Sequence, residues 1–136
     1  MKRAALSFLI LPVLALAACG SSEAENVANS YLEAQQSGNW TEMCQNLDKA
    51  SQEALQTSLK QAGGRKVKPA SCAEAIEGAT EQTKNAIVQG ATGVKVISVE
   101  EVGDQAFISS ERNGVPSKDR LQMVREGDVW KVRIAG

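Results

Sequence analysis

The chain has 136 residues and a formal charge of −1, from 15 Lys and Arg against 16 Asp and Glu. It contains no histidine, so the commonest general base, the commonest zinc ligand and the usual pH switch are absent together. Aromatic residues make up 4 % and charge is spread along the chain, which argues against nucleic-acid binding and leaves little for stacking on bases or sugars.

The first residues read as an address. Lys2 and Arg3 form a basic start, and Ala4 to Leu16 form an apolar run broken only by Ser7 and Pro12. That run is shorter than the roughly 20 residues a membrane-spanning helix needs, so it reads as a cleaved export signal, residues 1–18. Leu16-Ala17-Ala18-Cys19 follows and resembles the lipobox of bacterial lipoproteins. The resemblance implies that Cys19 is acylated, palmitate included, and becomes the mature N-terminus. The expected location is the extracytoplasmic face of the cell membrane, with the membrane itself as the first partner. Residues 19–22 are then the lipidated cysteine and a tether, and residues 23–136 a single domain. The three tether residues Gly20 to Ser22 span at most about 10 Å, which holds the domain close to the lipid.

Removing residues 1–18 leaves 118 residues, enough for one modest core. With Cys19 assigned to the anchor, Cys44 and Cys72 remain as an even pair in a disulfide-permissive compartment. A bridge between them would close a loop of about 28 residues and stabilise the domain by about 3.5 kcal/mol. Two separate buried thiols or one reactive pair are the alternatives.

Residues 23–90 carry helical periodicity. Ser22 and Glu25 form a capping-box pattern that opens a helix over Glu23 to Gln36, with Val27, Tyr31 and Ala34 inward and Ala28 and Leu32 widening the stripe. Ser37-Gly38 ends it. Asn39 caps a short helix from Trp40 to Leu47, and Asp48 caps a third that ends at Gly63-Gly64. Asn39-Trp40-Thr41 also matches a glycosylation sequon, read here as capping chemistry. A basic loop with Arg65, Lys66 and Lys68 follows, and Ser71 with Glu74 opens a fourth helix from Cys72 to about Val88. Near an anionic bilayer each loop cation would contribute about 1 kcal/mol, making these three a candidate membrane contact. An ordinary solvated loop is the competing reading.

From Val94 the period becomes two. Strands are expected over Val94 to Val102, Gln105 to Arg112, Lys118 to Arg125 and Val129 to Ala135, with turns at Gly103-Asp104, Asn113–Pro116 and Glu126–Asp128. Trp130, Val132 and Ile134 share one face. Lys131 and Arg133 lie opposite, while Arg112 falls with Ile108 and Ser110. These cations suit an anion or partner surface, or simply a solvated sheet face. The whole predicts an α+β fold, N-terminal helices packed on a C-terminal curved four-stranded antiparallel meander.

This layout resembles small actinobacterial-type lipoproteins with a nuclear-transport-factor-2-like, or cystatin-like, cone. The residues that carry it are Tyr31-Leu32-Glu33-Ala34, Gly38-Asn39-Trp40, Cys44 with Leu47, Cys72 before an Ala-rich helix, and Gly127 to Val132. The resemblance implies a pocket at the cone's wide end, in a family that includes isomerases, dehydratases and ligand binders. Tyr31, Trp40 and Trp130 are candidate pocket-lining residues, though each also suits the core. No catalytic pair, phosphate loop, metal cluster or cofactor motif is visible. The expected function is a non-catalytic binding or interaction domain whose partner is an envelope protein or a small apolar ligand. An isomerase- or hydratase-like enzyme and a homodimer through the sheet are the other classes.

Overall fold

The computed structural model describes residues 22–63 and 71–134. Five helices come first: α1 (Glu23–Ser37), α2 (Trp40–Asn46), α3 (Lys49–Gly63), α4 (Cys72–Glu77) and α5 (Glu81–Ala91). Five strands follow: β1 (Val94–Val102), β2 (Gln105–Arg112), β3 (Val115–Pro116), β4 (Leu121–Glu126) and β5 (Val129–Arg133). The fold is α+β, helices N-terminal and an open antiparallel sheet C-terminal, in the order β1-β2-β4-β5 with β3 on β2.

Local chemistry sets most helix boundaries. The side chains of Ser22, Asn39, Ser71 and Thr80 each accept a backbone N–H from three residues on, satisfying one orphan donor of the first turn. Gly38 ends α1 at φ 71°, a left-handed turn that places its N–H on the Ala34 and Gln35 carbonyls.

The expected single helix over Cys72–Val88 is two helices. Gly78 closes α4, and its N–H reaches Glu74 O at 3.0 Å. Thr80 then caps α5 afresh, its Oγ1 accepting from Thr83 N–H. A glycine followed two residues later by a threonine cap favours ending and restarting over continuing.

The expected loop at Asn113–Pro116 is also more ordered than its composition suggests. Asn113 (φ 52°) and Gly114 (φ 82°) form a two-residue turn, and Val115 and Pro116 pair back onto Arg112 and Glu111. The chain then leaves the ladder over residues 117–120 and rejoins it at Leu121 rather than Lys118.

Helices and sheet enclose one core. Along α1 the fully inward positions are Ala24, Ala28, Tyr31 and Ala34, while Val27 and Leu32 pack at its margin. Three alanines leave room for large groups from the sheet, among them Met123, Trp130 and Val132. Ile134, in line with Trp130 and Val132, lies past the last ladder pair and is half exposed. Cys44 and Cys72 form a disulfide that joins α2 to α4 at a Cα separation of 6.0 Å.

Candidate functional site

The sheet is irregular in one place, where two departures from regular pairing face each other across β2. Val96 pairs with Ser110 and Ser98 with Ser109, so Ile97 is an extra residue in β1. On the other side of β2, residues 117–120 stand where β2 has only Ser109 and Ser110. Extra residues kink their strands and raise the local twist. Both kinks fall at the same two serines.

A pocket of about 260 Å³ lies at this bend. Its apolar lining comes from Leu32 of α1, Val94 of β1, Ile108 of β2 and Leu121 of β4. Ser110, Arg112, Ser117 and Arg120 supply polar atoms, with Glu111 and Asp119 beside them. Gly90, at the end of α5, forms part of the wall. A second groove of about 350 Å³ runs between α1 (Asn29, Leu32, Glu33, Gln36) and Gly93–Val96, sharing Leu32 and Val94 with the first.

The wall at α5 is held by polar side chains as well as by the buried Ala91 and by Ile87, which packs against the core. Arg112 donates to the carbonyls of Gln89 and Gly90, placing its cation at the negative end of the helix. Gln35 Nε2 donates to Ile87 O at 2.7 Å, and Gln36 Nε2 to Ala91 O at 2.8 Å. Three side chains from α1 and β2 therefore reach four carbonyls between Ile87 and Ala91 at the end of α5. Arg120 is likewise engaged: its Nη1 lies 2.7 Å from Glu100 Oε2, and its guanidinium sits 4.7 Å above the Phe107 ring.

No family model matches this chain, and no curated protein or solved structure matches it.

The residues singled out from sequence lie in several places. Tyr31 and Trp130 are core residues, Trp40 packs against the core margin, and none of the three lines either pocket described above. Arg125 covers the Trp130 ring at 4.7 Å. Cys44 and Cys72 are bonded to each other and buried. Cys19 and the loop residues Arg65, Lys66 and Lys68 lie outside the described residues. Lys131 and Arg133 are on the face opposite Trp130, but both are tied down. Lys131 donates to Gln45 O, and Arg133 pairs with Asp48.

Among the described residues two groups have a shifted pKa, and neither lines these pockets. Burial pushes the Tyr31 hydroxyl up from its ordinary value. Asp48 is fully buried, which by itself raises its pKa. Hydrogen bonds from Ser51 and Arg133, with the guanidinium charge, outweigh that effect and lower it. Among the described residues no group of three His, Cys, Asp or Glu side chains could hold a metal ion, and no helix is long and apolar enough to cross a membrane.

None of the residues lining the first pocket is singled out as pocket-lining by the sequence: Leu32 reads as part of the α1 stripe, and Arg112 and Arg120 as cations on the sheet. One signal was present: Arg112, Ser110 and Ile108 alternate onto one face, a polar end to an otherwise apolar strand side. The bend that opens the site has no such signal, because it depends on register.

Proposed function

We propose that this chain is an exported, lipid-anchored lipoprotein whose nuclear-transport-factor-2-like cone binds a small, largely apolar ligand without transforming it. The observation that carries this reading is the pocket at the bend of the sheet. Leu32, Val94, Ile108 and Leu121 give it an apolar lining, and the serines and arginines give it a few oriented polar atoms. That combination is characteristic of small-molecule sites. The guanidiniums already bond to carbonyls and a carboxylate, which suits fixed walls better than moving protons. Tyr31, the acid or base of an isomerase-like alternative, is buried outside both described pockets. The lipobox around Cys19 and the disulfide both suit an oxidising compartment outside the cytoplasm.

The test is native mass spectrometry of the full chain purified from its own host. A retained small molecule that is lost on Leu32→Trp, with the fold preserved by circular dichroism, supports the reading. A pocket that retains nothing in the unaltered protein removes it. Labelling with radioactive palmitate tests the anchor separately, since Cys19→Ser should abolish incorporation.

A further inference from the structure

The two edges of the sheet differ. At the β5 edge, Leu47 bridges Val132 in parallel, Asp48 N–H donates to Val132 O at 2.9 Å, and Ile134 N–H donates to Ser51 Oγ. That edge is covered at its C-terminal end, around Val132 and Ile134. At the other edge, β1 pairs with β2 on one side and with no described strand on its other side. It is nine residues long, with Ile97 51 % and Val102 58 % exposed. A groove separates the start of this edge, Gly93–Val96, from α1.

We propose that β1 pairs antiparallel with β1 of a second copy, about a two-fold axis passing between Ile97 and Ser98. The argument rests on the side chains this register brings together. Val94 lines the pockets with Leu32, and Val96 and Val99 pack against the core, so these three point toward the helices. Glu100 faces the other way, beside Arg120 over Phe107. Lys95, between Val94 and Val96, shares that outer face. In an unbroken strand, residues five apart lie on opposite faces. The extra residue Ile97 shifts the alternation by one and puts Lys95 and Glu100 on the same side.

In the proposed register Lys95 stands opposite the second copy's Glu100 on the outer face. Val96 stands opposite the second copy's Val99 on the helix face. Symmetry makes each contact twice, so four favourable cross-strand pairs flank the axis. Charges and a bulge on an edge normally discourage pairing with foreign strands. Here a second copy supplies the complement that a foreign strand lacks. An axis normal to the joined sheet also keeps both α1 helices on one side.

The test uses the full chain released from detergent micelles and weighed by native mass spectrometry. The unaltered protein is expected to be a dimer. Lys95→Glu alone sets Glu against Glu twice, and Glu100→Lys alone sets Lys against Lys twice. Each should weaken self-association about tenfold or more. Mixed together, the two variants restore both ion pairs and should form the heterodimer in preference to either homodimer. Amide exchange on the unaltered chain checks the same contact without substitution: β1 amides should slow as concentration rises. A monomer at every concentration, a dimer indifferent to Lys95→Glu, no heterodimer on mixing, or a different protein held on β1 would each overturn the proposal.

Discussion

Arg133, on the last strand, directs Nε and Nη2 at the same oxygen of Asp48, each at 2.7 Å. Asp48 begins the third helix, and its other oxygen accepts the Ser51 N–H at 3.0 Å. Its own N–H donates to Val132 O at 2.9 Å. One fully buried carboxylate thus caps a helix, pairs with a cation and ties the chain to the sheet edge.

Replacing Arg133 with Ala should cost about 2–3 kcal/mol, measured by urea denaturation. Removing one partner of a buried pair strands the other charge, which typically costs about 3–5 kcal/mol. Arg133 is itself 37 % exposed, so water can reach the site and reduce the loss. Asp48→Ala removes the cap and the charge together, and should cost a similar amount. Asp48→Asn should cost less, because an amide oxygen can still cap Ser51.

Acid sensitivity follows from the same carboxylate. Its folded pKa lies below the ordinary 3.8, so the unfolded chain binds a proton more readily. The stabilisation is therefore complete above the ordinary carboxylate range and is lost as pH falls through the depressed folded value. The urea midpoint of the unaltered protein should decline across that acid window. In Asp48→Asn this part of the decline should disappear; an unchanged acid limb would show that other carboxylates carry it.

How much of this was readable beforehand depends on the distance between partners. Ser22, Asn39, Asp48 and Ser71 were legible as helix starts, because a cap and its N–H lie three residues apart. The Cys44–Cys72 pair is legible once Cys19 is read as the anchor, because only two candidates then remain. Gly78 and Thr80 carry the information for a break, but Ile76, Ala79, Thr83 and Ile87 keep helical spacing straight across it. Asp48 was legible as a cap and not as an ion pair, since Arg133 is 85 positions away. The pocket was least legible. It arises where two kinks meet at Ser109 and Ser110, and kinks are a property of register rather than of composition.

Reducing the disulfide should destabilise the domain by about 3.5 kcal/mol in the loop-closure account. Cys44 and Cys72 are 5 % and 2 % exposed, so the bond is shielded in the folded protein. Reductant should accordingly have little effect until denaturant opens the α2–α4 contact. Thiol release followed against urea concentration checks this. Rapid release from the native state would mean that α4 detaches on its own.

Gly93→Ala should destabilise the pocket end of the domain for two separable reasons. Gly93 has φ 73°, a conformation that a side chain disfavours. An added Cβ would also stand 2.5 Å from Asn113 Oδ1, in the turn whose N–H donates to Gly93 O at 3.2 Å. Strain and collision together should cost about 2–3 kcal/mol. In an Asn113→Gly background the collision is absent while the φ strain remains, so the same substitution should cost only about 1 kcal/mol. A double-mutant cycle in urea gives the coupling directly. Equal costs in both backgrounds would mean that the hairpin tip moves aside freely, and that it does not brace the end of α5 against the sheet.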